Sequence, residues 1–269
     1  MPDTELYTLN TCDLTLAYSA LVKLRNFGDF VQIKTAFYLV DHPEGTVLFD
    51  TGISYDLVNN PENYGTYGVP DDVAAMMSVA EMSEADKPSN QLAQAGYDPS
   101  DVDYVVMSHL HLDHAGNIEE FPEAEFIVQQ DELESAWWPI DPVQRDFYLE
   151  GDLSPLRSHD QYDVTAVSGR YDLFGDGSVV CIPTPGHSKG HQSLKVELAN
   201  EGTVVLAGDA AALEDGYRSE TLQAYNWDPS EAIRSVRTLR QLERTEDARI
   251  VFLHDPDHYE ELPELPEAL

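Results

Sequence analysis

Cysteine is scarce in this 269-residue chain, which holds only Cys12 and Cys181. Two thiols so far apart do not form a disulfide framework, which excludes a small stapled fold. Cys181 lies in the apolar run Val179-Val180-Cys181-Ile182, where a buried structural thiol is expected. Basic residues are also few: 15 Lys and Arg face 50 Asp and Glu, for a formal net charge of −35. Nucleic acid is excluded as a partner, because phosphate binding needs a basic footprint. Docking on an anionic membrane surface is excluded for the same reason. Uninterrupted apolar runs of about 18 residues, the length of a membrane span, are missing as well. The opening Met1-Pro2-Asp3-Thr4-Glu5 has neither the basic nor the apolar segment of a secretory signal, so a soluble, cytoplasmic protein is expected.

What is present is an ordinary globular composition, 42% hydrophobic. The acids are not confined to a tail but recur from Asp3 to Glu267. Such dispersed charge repels itself and is best tolerated where salt screens it, as in halophilic proteins; an acidic mesophilic enzyme is the alternative.

Short β-type runs occupy Glu5 to Leu9, Ile33 to Val40 and Thr46 to Phe49. Asp41-His42-Pro43-Glu44-Gly45 forms a hairpin turn between the last two, and Asp50-Thr51-Gly52 a turn after them. Residues 59–70, rich in Asn, Gly, Pro and Tyr, read as an irregular excursion. Val73, Met76, Met77 and Ala80 recur at helical spacing, and Pro88 to Ala95 forms a second helix ending at Gly96. Further strands are expected at Tyr104 to Met107, Glu125 to Gln129, Ser178 to Ile182, Gln192 to Leu198, Thr203 to Leu206 and Arg249 to Leu253. Helices are expected at Asp131 to Trp138 and, started by Pro229 and Ser230, to Glu243. Strands interrupted by helices indicate a layered α/β protein. With no repeat and no linker, residues 1–269 read as one domain.

Nine histidines occur, and three of them fall within six residues, in Ser108-His109-Leu110-His111-Leu112-Asp113-His114-Ala115-Gly116-Asn117. This loop follows a strongly apolar strand, a place from which side chains can be aimed into a cleft. Imidazoles packed so closely repel one another when protonated and need partners when neutral. A divalent metal meets both demands, with neutral imidazole and ionised carboxylate as ligands.

The His-x-His-x-Asp-His pattern resembles the metallo-β-lactamase superfamily of dinuclear metallohydrolases. The likeness continues in Asp50-Thr51-Gly52, Thr184-Pro185-Gly186-His187, Leu206-Ala207-Gly208-Asp209 and Ile250-Val251-Phe252-Leu253-His254, which cover nearly the whole chain. It implies an α/β fold, an αββα sandwich of two mixed β-sheets flanked by helices. It also implies that His109, His111 and His187 hold one metal, and that Asp113, His114 and His254 hold a second, with Asp209 bridging. Nitrogen-rich sites suit two zinc ions, though Fe, Co and Mn stay open. His111 stands where related di-iron flavoproteins carry Glu, which favours hydrolysis over redox chemistry.

Within the superfamily, Ser-His-Leu-His-x-Asp-His-Ala-Gly and Thr-Pro-Gly-His-x-x-Gly-His-Gln-Ser-Leu resemble the N-acyl homoserine lactone lactonases, the quorum-quenching branch. Gly96-Tyr97-Asp98-Pro99-Ser100-Asp101-Val102 and the helix after Trp227-Asp228-Pro229 are similar too. The expected activity is opening of a small-molecule lactone by a metal-bridging hydroxide, with Asp113 carrying the proton to the leaving oxygen. Hydrolysis of another ester, a thioester or a β-lactam, or metal binding without catalysis, are the alternatives. The family's tyrosine three residues after the bridging aspartate is Ala212 here, and Tyr217 or Tyr225 are candidates to replace it. Phe27, Phe30, Val31, Val73, Met76 and Met77 are candidates for an acyl-chain groove. His42 and His159 are assigned no role, His258 is a weaker competitor to His254, His191 is a candidate support for a metal ligand, and a homodimer stays open.

Overall fold

The computed structural model describes residues 4–65, 69–157 and 161–269. His159 and part of the 59–70 excursion lie outside the described residues. The strands are β1 (Glu5–Ala17), β2 (Phe30–His42), β3 (Gly45–Phe49), β4 (Tyr104–Val106), β5 (Glu125–Gln129), β6 (Asp163–Val167), β7 (Tyr171–Asp172), β8 (Val179–Pro183), β9 (Gln192–Leu198), β10 (Gly202–Leu206) and β11 (Arg249–Val251). One sheet has the order β1-β2-β3-β4-β5-β6 and the other β11-β10-β9-β8-β7. In the first, β1, β2 and β3 pair antiparallel and β3 to β6 parallel. In the second, only β10 and β11 are parallel.

The apolar runs are continuous because the central strands are covered on both faces. On β8, Val179 and Cys181 point into the layer between the sheets, with Val106, Ile127 and Leu194. Val180 and Ile182 point outward, to the face covered by Ala232, Val236, Leu239 and Leu242 of the helix Pro229–Thr245. On the far side, Leu48, Val105 and Phe126 pack under Leu92 of the helix Pro88–Ala95 and Ala136 of the helix Gln130–Trp137. The result is an αββα sandwich, as the motif order implied.

Expected and observed elements differ most at the start. β1 and β2 each run to 13 residues, because a bulge lets Asn10 to Asp13 oppose only Ala36 to Lys34. Several buried polar groups there satisfy one another: Cys12 N donates to Thr35 Oγ1 at 2.9 Å, and Ile53 N to Thr11 Oγ1 at 2.9 Å. The short β6 and β7 carry too little apolar sequence to announce themselves. The hairpin turn at Pro43–Glu44 and the helix Asp71–Met77, which buries Val73 and Met77, are where the residue pattern placed them.

Candidate dinuclear metal centre

The site lies at the C-terminal ends of β3, β4, β8, β10 and β11, where both sheets open onto one edge. Backbone bonds bind these ends together: Asp50 N to Val106 O at 3.0 Å, Gln192 N to Ser108 O at 2.9 Å and Ala207 N to Val251 O at 2.9 Å. The loop after β4 is a tight turn in which His114 N and Ala115 N both donate to His111 O, at 3.0 and 2.9 Å. It thereby presents His109, His111 and His114 from consecutive short arcs. The loop after β8 carries His187 and is closed by Thr184 N donating to His191 O at 2.9 Å. Gly186 there has φ +140°, and a Cβ on it would lie 2.2 Å from Ala232 N. Only glycine lets this loop rest against the N-terminus of the helix Pro229–Thr245.

All seven residues singled out by the motifs converge. His109, His111 and His187 form one set, with ring centroids 4.4 to 4.8 Å apart. Asp113, His114 and His254 form a second, with Asp113 Oδ2 3.8 Å from His114 Nε2 and 3.7 Å from His254 Nε2. Asp209 faces both: its Oδ1 lies 2.9 Å from His254 Nε2 and 3.4 Å from His114 Nε2, and its Oδ2 3.4 Å from His187 Nε2.

The chemistry of these donors fits divalent cations. His109 Nε2 and His114 Nε2 are buried with no hydrogen-bond partner, a costly state unless a lone-pair acceptor such as a metal is present. Burial drives His109 well below its usual pKa and pushes His111 and His187 down to about 3, so these imidazoles are neutral and ligand-ready. Burial also disfavours the His114 cation, but Asp113 and Asp50 outweigh it and raise that ring well above its usual value. Asp209 resists burial because His254 and His187 hold it well below the carboxylate range.

The opposite edges of four of the five imidazoles are held in turn, while His187 Nδ1 is buried without a partner among the described residues. His114 Nδ1 lies 2.8 Å from Asp50 Oδ2, and Ser108 Oγ lies 2.9 Å from His109 Nδ1. His111 Nε2 meets Gln144 Oε1 at 3.1 Å, and His254 Nδ1 meets Lys34 O at 2.5 Å. Such contacts fix ring orientation and tautomer at metal sites. Asp50 sits at φ +66° and takes both Ser108 N and Ser108 Oγ at 2.7 Å, which accounts for the Asp-Thr-Gly turn beyond its role as punctuation. His191 is a buried histidine beside the cluster: its Nε2 accepts Asp209 N–H at 2.8 Å, and its Nδ1 lies 2.9 Å from Thr184 Oγ1. Gln144 and the buried Glu132 carry no signal in their local sequence, because their partners come from a distant loop, whereas Ser108 stands inside the histidine motif itself.

A cavity of about 140 Å³ opens on the cluster. His111, Asp113, His187, Asp209 and His254 form its polar end, and Leu14, Leu16, Leu21, Ile33, Met76 and Phe147 its apolar walls. Of the acyl-groove candidates only Met76 lines it; Phe27 and Phe30 are about 70% exposed, Val73 and Met77 are in the core, and Val31 packs at its margin. Of the two tyrosines, Tyr225 lines the cavity, 5.9 Å from the His187 ring. Tyr217 turns away, packing on Phe252 and donating to Glu243 Oε2 at 3.1 Å. Ala212 is buried in the apolar cluster with Leu112 and Met77. His42 stacks on Phe174 at 4.4 Å and His258 reaches Glu214 at 3.2 Å, both away from the cluster.

Residues 33–254 match the model of the metallo-β-lactamase superfamily, and the chain belongs to it. It is 34% identical over 267 residues to N-acyl homoserine lactonase AttM of Agrobacterium fabrum, covering 99% of each chain. It is 30% identical over 263 residues to N-acyl homoserine lactonase AiiA of Bacillus thuringiensis subsp. kurstaki, covering 98% of each. A solved N-acyl homoserine lactone hydrolase, with N-hexanoyl-L-homoserine at its catalytic metal centre, superposes with TM-score 0.82 at 30% identity over 100% of both chains. Within the superfamily, its place is therefore with the N-acyl homoserine lactonases.

Proposed function

We propose that this protein opens the ring of N-acyl homoserine lactones, using two divalent cations, with zinc as the metal best suited to the donors. The observation that carries the reading is a seven-residue His and Asp cluster opening directly into an apolar cavity. His109, His111 and His187 would hold one cation, Asp113, His114 and His254 the other, and Asp209 both. Five imidazoles and two carboxylates form a borderline-soft set, which suits zinc better than magnesium or calcium. When bound, such a pair of cations activates water and polarises an ester carbonyl.

The remaining work falls to the chain. Leu14, Leu16, Leu21, Ile33 and Met76 offer an apolar wall to an acyl chain. Asp113, the more exposed carboxylate at 22%, is placed to pass a proton to the leaving alkoxide while Asp209, at 7%, stays a pure acceptor. Tyr225, which lines the cavity, would donate to the substrate carbonyl, in the role that Ala212 cannot fill. A lactone ester is held cis, exposes its carbonyl to attack and opens to a single product, so no second substrate is needed. Residues 1–269 act as one hydrolase domain. Two free buried thiols suit a reducing, cytoplasmic compartment.

The test is a panel of acyl homoserine lactones of short and long chain, simple γ- and δ-lactones, thioesters and a β-lactam, with acid release followed by a pH indicator at high salt. Turnover of the acyl homoserine lactones above a metal-free control is expected. Turnover of thioester or β-lactam alone would move the protein to another hydrolase class.

A further inference from the structure

Glu132 is fully buried in the first turn of the helix Gln130–Trp137, with no lysine, arginine or histidine among its hydrogen-bond partners. Its carboxylate instead accepts four hydrogen bonds. Oε1 takes Leu110 N–H at 2.9 Å and Tyr148 O–H at 3.0 Å; Oε2 takes Ser188 O–H at 2.6 Å and Gly190 N–H at 3.0 Å. Leu110 lies between His109 and His111, and Ser188 follows His187. One oxygen therefore holds the loop after β4 and the other the loop after β8, which belong to opposite sheets.

We infer that Glu132 is a positioning residue that sets the separation of the His109–His111 pair from His187. These histidines meet where the two loops do, with His187 Nε2 3.0 Å from His111 Nδ1. Their strands lie in different sheets, and Gln192 N donating to Ser108 O at 2.9 Å joins the loops only at their bases, leaving Glu132 to tie the Leu110 and Ser188–Gly190 segments. Gly190 gives independent support: a Cβ there would lie 2.1 Å from Glu132 N, so the loop is built to lie directly on this turn of helix. A carboxylate is required because each oxygen faces one backbone N–H, Leu110 on Oε1 and Gly190 on Oε2, which can only donate. A glutamine of the same shape would turn its NH₂ toward one of them; the neighbouring hydroxyl could rotate to accept, but that N–H would be left unsatisfied and its loop pushed away. In the second set, Asp113, His114 and His254 share no hydrogen bond with Glu132 among the described residues, and His114 and His254 are oriented by Asp50 and Lys34 O.

This inference rests on the two-cation reading above, and it predicts an asymmetry which that reading alone does not. Metal-free protein is titrated with Co²⁺, against a competing chelator, and followed by absorption. Wild type should take two equivalents. Glu132→Gln should weaken one equivalent by about 10- to 100-fold, the range for supports of metal ligands, and leave the other within a few-fold. Asp113→Asn should weaken the other equivalent, and the double variant should lose both. Ser188→Ala, which removes one donor and is less disruptive to folding, should weaken the same equivalent as Glu132→Gln by a smaller factor. Unchanged binding in Glu132→Gln and Ser188→Ala would overturn the inference. Equal weakening of both equivalents, alongside a lower thermal midpoint of the metal-free protein, would overturn it too, by making Glu132 a general structural group. Fewer than two equivalents in wild type is the distinct signature of failure of the dinuclear reading, and with it goes the role of Glu132.

Discussion

Asp209 shows how much one side chain does at the residue scale. Its two oxygens address different histidine sets, and its own N–H is pinned by His191. Asp209→Ala should therefore lower bound metal from two equivalents to one or fewer, as read by elemental analysis after supplementation and desalting. Tyr225 is the phenol proposed to stand in for the tyrosine absent at position 212. Tyr225→Phe keeps the ring contacts with His187 and Phe147 and deletes only the hydroxyl. A single transition-state hydrogen bond of this kind is worth about 1–3 kcal/mol, so kcat/KM should fall roughly 10- to 100-fold. A change under twofold would remove the phenol from the mechanism. Ala212→Tyr does not simply restore a family feature, because Ala212 is packed among Leu112 and Met77. Overpacking there should cost about 1–3 kcal/mol of stability, visible as a lower denaturation midpoint.

Among the elements, the β1–β2 hairpin decides the cavity. The bulge between Asn10 and Asp13 changes which face Leu14 and Leu16 occupy, and with Ile33 they become cavity wall. The loop after β8 depends in the same way on the helix Pro229–Thr245. Asp228 caps that helix through Ser230 N at 2.7 Å and Glu231 N at 3.1 Å, while Trp227 N and Asp228 N bond to His187 O and Gly186 O at 2.9 and 3.0 Å. The helix start and the His187 loop are thus one unit. Gly186→Ala forces them apart, and a loss of about 3 kcal/mol is expected, lowering the thermal midpoint by roughly 6–12 °C. An unchanged midpoint would show that the two elements are not coupled at this point.

For the whole molecule, the charge of −35 is the dominant feature. At most 15 of 50 acids can have their own Lys or Arg, so at least 50 − 15 = 35 lack one. Several of the cations are concentrated on one face, where Arg218, Arg237 and Arg240 bind Glu214, Glu220 and Glu243. Exposed pairs of this kind contribute about 0–1 kcal/mol each, too little to offset dispersed self-repulsion. Raising KCl from dilute to molar shortens the screening length from about 10 Å at 0.1 M to about 3 Å, which removes more repulsion than attraction. The thermal midpoint should climb by roughly 10 °C or more across that range. A flat profile would leave the halophilic reading unsupported.

The amino-acid sequence by itself determined the layered class, the central strands and the His109–His114 loop, and the resemblance to the superfamily added His187, Asp209 and His254. Each of these is written in short-range form: apolar runs for strands buried on both faces, and histidine and aspartate on the loops that directly follow them. It also determined the charge, which needs no fold to be counted. Only the tertiary structure decided what depends on two distant segments meeting. The bulge that makes Leu14 and Leu16 cavity wall is invisible until β1 pairs with β2. Tyr225 rather than Tyr217 reaches the cluster because the chain after Asp209 turns one phenol inward and the other toward Glu243. Glu132, in an unremarkable stretch of helix, becomes a tie between loops only when the two sheets stack and bring Leu110, Ser188 and Gly190 to the same carboxylate.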